Sequence, residues 1–162
     1  MSRLRDPRLE EIERLYRDRF PHFVQVARAI VGDRERAVEA VQDGFADAIR
    51  GREGFRGDGP LEAWVWRAVV NAAKKATRRP LVEVGREADA EYELAPSVLE
   101  ASPLVSALPE RQRLVVFLRY YAGLDYRSIA SALDVEVGTV SASLASAHAA
   151  IRKAVKEEEV HG

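Results

Sequence analysis

The fold is decided by residues 108–153, LPERQRLVVFLRYYAGLDYRSIASALDVEVGTVSASLASAHAAIRK. Ile129, Ala130 and Leu133 fall on one face of a first predicted helix. A second predicted helix aligns five apolar residues on one stripe at helical spacing: Val137, Val140, Leu144, Ala147 and Ile151. The short turn at 134–136 and the small side chain of Ala130 favour a helix-turn-helix over a generic helical hairpin.

The outer face of the second predicted helix is unusual for such a motif. At about 100° per residue it carries no positive charge before Arg152 and Lys153. The residues on this face are Gly138, Ala142, Ala145, Ser146 and Ala149. Helices that read the major groove of DNA usually present Arg, Lys, Asn or Gln there. The sequence leaves two interpretations open: a weak DNA reader with help from elsewhere, or a surface that now docks a protein.

The rest of the chain also has helical periodicity. Apolar residues recur at spacings of three and four from Pro7 to Arg50, where Pro21 predicts a kink or a restart and Gly32 with Asp33 predicts a helix boundary. A Gly-rich loop at 51–59 precedes another helix, for which Pro60 is expected at the first position. No segment has the alternation of a strand, so we expect an all-α fold.

Charge is strongly segregated along a chain whose formal net charge is only -1. Residues 1–79 carry 17 Lys and Arg against 13 Asp and Glu, residues 80–103 carry one Arg against six acidic residues, and residues 104–162 balance. This pattern predicts two small helical domains, at 1–79 and 103–162, joined by an acidic linker at 80–102. The acidic stretch is equally compatible with a plain solvated linker.

The composition excludes several classes of function. There is no Cys, and the three His are too scattered to form a ligand cluster, so we expect no metal and no cofactor. The sequence shows no nucleophilic side chain paired with a general base and no phosphate-binding loop, so nothing suggests an enzyme. The charged N-terminus and the lack of a long apolar run predict a cytoplasmic protein that is not inserted in a membrane.

Two motifs in sequence carry a resemblance to a known family. Residues 108–140, LPERQRLVVFLRYYAGLDYRSIASALDVEVGTV, resemble region 4 of bacterial RNA polymerase sigma factors. The segments ERAVEAVQDGFADAI and FRGDGPLEAWVWRAVVNAAKKATRR resemble region 2 of the same proteins. With no region 3 between them, the chain resembles the extracytoplasmic-function (ECF) class. The resemblance implies a subunit that directs core RNA polymerase to promoter DNA and initiates transcription.

The resemblance also implies contacts for the first domain. The helix at 41–50 would dock on the polymerase clamp, with candidates Gln42, Asp43, Ala46, Asp47 and Arg50, although a solvated helix face explains these charges equally well. The following loop and helix would capture bases of the minus-ten element. Candidates for that surface are Phe55, Arg56, Asp58, Trp66, Arg67, Asn71, Lys74, Lys75, Arg78 and Arg79, while Trp64 lies on the apolar stripe and is expected in the core.

Physical chemistry supports part of this assignment. Flipping a base out of the stack costs a few kcal/mol, so aromatic and polar neighbours suit a minus-ten pocket. Lys74, Lys75, Arg78 and Arg79 form a cluster that would bind phosphates with strong salt dependence. The alternative is a basic helix end that interacts with the helix dipole. The acidic linker resembles the segment that occupies the RNA path of the polymerase.

The second domain departs from the family where it should read DNA. The segment SASLASAHAAI replaces most of the basic side chains usual after GTV, so reading of the minus-thirty-five element is expected to be weak. Arg127, with Arg111, Arg113 and Arg119, is a candidate for compensating backbone contacts. The candidates for DNA contact here are Arg119, Tyr126, Arg127, Thr139, Ser141, Ala142, Ser143 and Ser146. The resemblance further implies an anti-sigma factor as a partner, and the alternative function is a sigma-like regulator whose region 4 docks a protein instead of DNA.

Overall fold

The computed structural model describes residues 6–78 and 103–161, which contain helices and no strand. The all-α class predicted from the sequence is confirmed. None of the described helices is long and apolar enough to cross a membrane. The helices are α1 (Pro7–Val31), α2 (Arg34–Gly51), α3 (Leu61–Thr77), α4 (Pro103–Ser106), α5 (Glu110–Val116), α6 (Tyr126–Leu133) and α7 (Val137–His161).

The ends of α1 and α2 follow local sequence signals. The Asp6 carboxylate accepts the backbone N–H of Arg8 at the start of α1, and Gly32 ends the helix in the left-handed conformation at φ 81°. Asp33 then caps α2 by accepting the N–H of Arg36, as predicted. The restart considered at Pro21 does not occur, because α1 continues through this residue to Val31.

Helices α1, α2 and α3 form a first helical group around an aromatic core. The rings of Phe23 and Trp66 stack with centroids 3.8 Å apart, and Phe45 meets Phe23 edge-on at 4.9 Å. At Gly44 the backbones of α2 and α3 come close, since a Cβ there would lie 2.6 Å from the Cα of Val69. Only glycine allows this approach.

Helices α4 to α7 form a second helical group that contains the helix-turn-helix. Helix α5 continues into a π-helical turn at Phe117–Tyr121, which Gly123 ends at φ 73°. Asp125 caps α6, and Asp134 leaves it in the left-handed conformation before α7 begins. The predicted turn at 134–136 is therefore present. Helix α7 extends to His161, beyond Ile151, the last residue of the predicted apolar stripe.

The two helical groups pack directly against each other. Helix α3 contacts α6, and α1 contacts α5 and the turn that follows it. Buried side chains of both groups form one continuous apolar cluster. The sequence predicted two domains and a linker and did not predict how the domains are placed relative to each other. The predicted acidic linker lies outside the described residues.

Candidate nucleic-acid interface

The outer face of α2 holds the residues implied for polymerase contact. Gln42, Asp43, Asp47 and Arg50 are exposed and Ala46 is half-buried. Their spacing of three and four places them on neighbouring positions of one face. Arg50 pairs with Asp47 one turn away. The face is thus an accessible charged surface, while the apolar side of the same helix packs on α1 and α3.

An open apolar cavity of about 350 Å³ lies beside this face, between α1 and α2. Sequence periodicity assigned the apolar residues that line this cavity to the core. Periodicity does not reveal which part of an apolar helix face the neighbouring helices leave uncovered. The ring of Tyr16 remains 36% exposed at this edge. The cavity is lined by Ile12, Glu13, Tyr16, Arg17, Phe45 and Ile49.

The loop between α2 and α3 brings two aromatic rings together. Phe55 and Trp64 are both half-buried, with ring centroids 5.7 Å apart and planes tilted by 56°. The Trp64 ring also covers Gly51 at 3.7 Å from where a Cβ would lie. Arg56 and Asp58 project from the same loop and are exposed. This loop therefore offers an aromatic surface with polar side chains beside it.

Trp66, a candidate for reading DNA, is instead a core residue. Its side chain is 0% exposed, its ring stacks on Phe23, and its indole Nε1 donates to the Glu62 carboxylate at 3.4 Å. A base cannot stack on a ring that is already covered on the inside of the helical group. The partly exposed tryptophan is Trp64, which the apolar stripe had assigned to the core. Trp66 is thus more buried than Trp64, the reverse of what the sequence predicted.

The basic residues of α3 share one side of the helix. Arg67, Asn71, Lys75 and Arg78 are exposed and Lys74 is half-buried. They fall within an arc of about 100°, as expected for a strip that follows a DNA backbone. The C-terminal end of α3 is held by the Arg36 guanidinium, which donates to the Ala76 carbonyl at 2.6 Å. The remaining member of the predicted cluster, Arg79, lies outside the described residues.

Arginines on the approach to the helix-turn-helix have structural partners. Arg119 donates to the Leu124 carbonyl at 3.1 Å and lies over the ring of Tyr126 at 5.4 Å. Arg113 donates to the carbonyls of Ser106 and Leu108. Arg127, by contrast, is exposed, and so is Arg111. Arg111 and Arg127 are therefore better placed than Arg113 for phosphate contacts.

The cap of α6 is charged. The Asp125 carboxylate accepts the backbone N–H of Ser128 at 2.8 Å. Hydrogen bonds from Ser128 hold the pKa of Asp125 below its usual range, with smaller contributions from the charges of Arg127 and Arg119. The carboxylate therefore stays ionised and keeps the first helix of the motif fixed near neutral pH.

The outer face of α7 carries small, uncharged side chains before Arg152, as the sequence predicted. Gly138, Ala142, Ala145, Ser146 and Ala149 are all exposed, as are Ser141, Arg152 and Lys153. Thr139 and Ser143 are half-buried. On the opposite side Val140, Leu144 and Ala147 are buried against the rest of the second group. The helix thus exposes its outer face to solvent but offers little charge along the motif.

Polar contacts join the two helical groups. Arg19 on α1 donates from Nη2 to the Ala122 carbonyl at 2.5 Å. Arg67 on α3 lies 3.5 Å from the carboxylate of Asp134, which ends α6. A cavity of about 320 Å³ at the same junction is lined by Lys74, Glu110, Arg111, Leu114 and Leu133. The pair of Arg67 with Asp134 and this cavity both involve the basic side of α3.

His22 lies within this junction. Its ring is 5.1 Å from that of Tyr121, and its Nδ1 atom is buried without a hydrogen-bond partner among the described residues. Burial lowers the pKa of His22, the positive charge of Arg19 lowers it further, and Glu62 acts in the opposite direction. His22 is therefore neutral at pH 7 in this arrangement.

Comparison with known proteins identifies both helical groups. The family model for sigma-70 region 2 matches residues 15–80, and the model for sigma-70 region 4 matches residues 103–151. The RNA polymerase sigma-H factor of Pseudomonas aeruginosa is 31% identical over 148 residues, covering 78% of this chain and 76% of the relative. The ECF RNA polymerase sigma-E factor of Escherichia coli K12 is 30% identical over 139 residues, covering 73% of each. The chain belongs to the ECF sigma factors.

Two solved structures have the same fold as this chain. The structure of CnrH in complex with the cytosolic domain of CnrY aligns with a TM-score of 0.68 at 23% identity, covering 92% of this chain and 90% of that one. The sigma factor RpoE of Bartonella quintana, in complex with the anti-sigma factor NepR, aligns with a TM-score of 0.68 at 16% identity, covering 91% and 98%.

Membership in the ECF sigma factors fixes the general function. The protein directs transcription initiation at promoters, as the resemblance implied, and it belongs to a family of transcription factors that are not enzymes. In region 2 the structure brings together α2, the loop after it and the basic side of α3. In region 4 it presents α6 and α7 as the helix-turn-helix. Sequence analysis missed the apolar cavity beside α2 and the junction between the regions.

Proposed function

We propose that this ECF sigma factor binds core RNA polymerase mainly through region 2. The charged face at Gln42, Asp43, Asp47 and Arg50 would meet the clamp, with Ala46 allowing close approach of a partner helix. The cavity beside it, open at Tyr16, would take an apolar side chain of the polymerase. Charge complementarity on the face would fix orientation, and burial in the cavity would add affinity.

Promoter opening would depend on the loop and α3. Phe55 and Trp64 form a surface on which a flipped minus-ten base can stack, and Arg56 and Asp58 can contact its polar edge. Arg67, Asn71, Lys74, Lys75 and Arg78 would follow the phosphates of the opened strand. The tilted, half-buried rings of Phe55 and Trp64 support this role better than the covered ring of Trp66.

Recognition of the minus-thirty-five element by region 4 would be weak. The exposed side of α7 presents Ser and Ala through the motif, so direct contacts to base edges are few. Arg127, Tyr126 and Arg111 would contribute contacts to the DNA backbone. Promoter choice would therefore rest mostly on the minus-ten element, with region 4 adding affinity through shape and phosphates.

The remaining expectations concern the cellular setting. Polymerase binding places the protein in the cytoplasm, and we propose that it has no catalytic activity of its own. An anti-sigma factor is a natural partner, because the cavity and face on α2 must be covered to keep the protein from polymerase. A fold neighbour solved with the anti-sigma factor NepR supports this expectation.

The observation that carries the proposal is the joint presence of sigma regions 2 and 4 on one helical scaffold. Binding of the full chain to purified core polymerase tests it, measured by fluorescence anisotropy. Asp47→Lys reverses a charge on the α2 face and should weaken binding about tenfold, a loss of about 1.4 kcal/mol. Asp18→Lys makes the same charge change on an exposed residue of α1 and should leave it unchanged. Failure of the parent chain to bind core polymerase would contradict the proposal.

A further inference from the structure

The start of α1 is tied to the beginning of the loop that carries Phe55. The two carboxylate oxygens of Asp6 have different partners: Oδ1 accepts the backbone N–H of Arg8 at 3.0 Å, and Oδ2 accepts the Nε–H of Arg52 at 2.8 Å. Arg52 follows α2 directly and begins a short 3₁₀-helical turn that ends at Gly54. One aspartate therefore caps α1 and also holds a residue 46 positions further along the chain.

Arg52 connects this contact to the loop through both its side chain and its backbone. Its Nη1 atom donates to the Ile49 carbonyl at 2.7 Å, which ties the guanidinium to the last turn of α2. Its own carbonyl accepts two hydrogen bonds, from the guanidinium of Arg8 at 3.3 Å and from the backbone N–H of Phe55 at 3.2 Å. Arg52 is thus fixed on both sides just before the aromatic surface begins.

Phe55 depends on this turn for its position. It leaves the turn in the extended conformation, at φ -70° and ψ 119°, and its ring meets that of Trp64 at 5.7 Å. The following residues, 56–60, are exposed, and Gly57 takes the left-handed conformation at φ 79°. Because the exposed loop offers little packing to hold the ring, the direction in which the chain leaves Arg52 decides where Phe55 lies.

The pair of Asp6 and Arg52 is charged and partly shielded from water. The two side chains are 36% and 28% exposed, respectively. Hydrogen bonds from Arg52 and from the backbone of Arg8 hold the pKa of Asp6 below its usual range. The carboxylate is therefore ionised at neutral pH, and the charge of the guanidinium strengthens the hydrogen bond between them.

We propose that Asp6 and Arg52 are positioning residues for promoter opening, which hold the Phe55 ring beside Trp64 in the arrangement that stacks on a flipped base. This inference rests on the proposed role of Phe55 and Trp64 in capturing a minus-ten base. A loop that is already held in its binding conformation loses less entropy when a base stacks on it, so the contact raises DNA affinity. Asp6 thereby favours DNA binding although its own charge repels DNA.

Asp6→Asn separates this positioning from general electrostatics. Asparagine still caps a helix, but its amide nitrogen cannot accept the hydrogen bond from Arg52. The substitution removes a negative charge, which alone would favour DNA. It should nevertheless weaken binding of a fluorescein-labelled single-stranded DNA of mixed sequence about twofold to tenfold. The matched control, Asp33→Asn, makes the same charge change at the N-cap of α2 and should not weaken binding.

Arg52→Lys tests the other partner without changing the net charge. Lysine lacks the planar fork that reaches Asp6 and the Ile49 carbonyl together, so this variant should also lose DNA affinity. Phe55→Ala then shows whether the loss acts through the Phe55 ring. In the Phe55→Ala background neither Asp6→Asn nor Arg52→Lys should weaken binding further, whereas additive losses would mean that the pair acts elsewhere.

Quenching of tryptophan fluorescence by acrylamide reports the position of the loop without DNA. Trp66 is 0% exposed and Trp64 is half-buried, so a quencher dissolved in water acts mainly on Trp64. Asp6→Asn should raise the quenching constant, because the Phe55 ring moves away from that of Trp64. Asp33→Asn should leave the constant at its value in the parent chain.

The two measurements separate the positioning role from the general function. Higher quenching, together with a loss of DNA affinity that disappears in the Phe55→Ala background, supports the proposal. Unchanged quenching in Asp6→Asn, or a loss of affinity that persists without the Phe55 ring, overturns it. Unchanged DNA affinity of Phe55→Ala in the otherwise native chain would contradict the proposed base capture, while higher quenching in Asp6→Asn would still show that Asp6 positions the loop.

Discussion

At the scale of single residues, Trp64 and Trp66 show how two similar side chains acquire different roles. They are two positions apart on α3, so they point about 200° away from each other. Trp66 turns toward Phe23 and is covered, while Trp64 turns toward the loop and meets Phe55. Periodicity placed both on a helix. It assigned Trp64 and not Trp66 to the core, which is wrong because α3 is packed on more than one side.

This difference predicts different effects of substitution on stability and on DNA binding. Trp66→Ala should lower the free energy of unfolding by about 3–5 kcal/mol, because it leaves a large cavity beside Phe23. Trp64→Ala should lower it by about 1 kcal/mol yet weaken binding of single-stranded DNA, since it removes a stacking surface worth about 1–3 kcal/mol. Urea unfolding and DNA anisotropy check both effects. Equal losses of stability in the two variants would contradict the assignment.

His22 makes the contact between the regions sensitive to pH. Its pKa is lowered when the regions are packed together, by burial and by Arg19, while Glu62 on α3 opposes them, and the ring of Tyr121 from region 4 contacts that of His22. Release of region 4 uncovers the ring and brings its pKa back toward the ordinary value of about 6.5. The released form therefore binds more protons. The contact between the regions is therefore most stable above this ordinary pKa and weakens as the pH falls below it.

With fluorophores on Glu11→Cys of α1 and Lys153→Cys of α7 in a chain that has no natural Cys, the expected result is a fall in energy transfer between the regions on going from about pH 7.5 to about pH 5.5. His22→Gln should abolish this change. His148→Gln is the matched control, because His148 contacts Tyr120 at 2.8 Å within region 4 and takes no part in the junction. A pH response that survives in His22→Gln but disappears in His148→Gln would rule out this explanation.

At the scale of helices, the sequence predicted the capping residues and the glycines at helix ends, but it did not predict how the helices pack. Asp33 and Gly32 mark the boundary between α1 and α2 as predicted. Pro60 precedes α3 as its N-cap instead of occupying its first position. Pro21 does not interrupt α1, since the surrounding side chains pack on α2 and α3 and outweigh one lost backbone hydrogen bond. Local signals thus set most helix ends, and tertiary contacts decide the exceptions.

The close approach of α2 and α3 gives a prediction of its own. Gly44→Ala places a methyl group 2.6 Å from the Cα of Val69, a backbone atom that cannot move without separating the helices. The variant should lose about 1–3 kcal/mol of unfolding free energy, despite the better helix propensity of Ala. Gly138→Ala is a suitable control, because a Cβ there meets nothing within 4 Å. Urea unfolding of both variants distinguishes the clash from a general effect of glycine.

The exposed face of α7 predicts a gain of function. Ser143→Arg with Ser146→Arg restores positive charge to the reading helix and should raise the affinity of region 4 for duplex DNA. The slope of the logarithm of the binding constant against the logarithm of the salt concentration should steepen by about one unit for each additional phosphate that the new side chains neutralise. Val155→Arg with Val160→Arg adds the same charge to exposed positions beyond the motif. Equal affinity of both variants for duplex DNA would mean that this face does not meet DNA.

At the scale of the whole molecule, the sequence predicted the class, the helix-turn-helix and the sigma-factor family. The contact of α3 with α6 could not be predicted from the sequence. Arg67 and Asp134 are far apart along the chain, and each alone resembles an exposed charge. Their pairing depends on how two helical groups meet, which neither periodicity nor charge segregation encodes. The apolar cavity beside α2 was missed for the same reason.

Transcription from a fragmented genomic library by purified core polymerase, with and without this protein, tests the promoter-directing role most directly. Sequencing of the RNA 5′ ends gives the start sites. We predict start sites that appear only with the protein and share a common minus-ten sequence, with a weaker common sequence upstream. Start sites identical to those of core polymerase alone would contradict the assignment of this chain as a promoter-directing subunit.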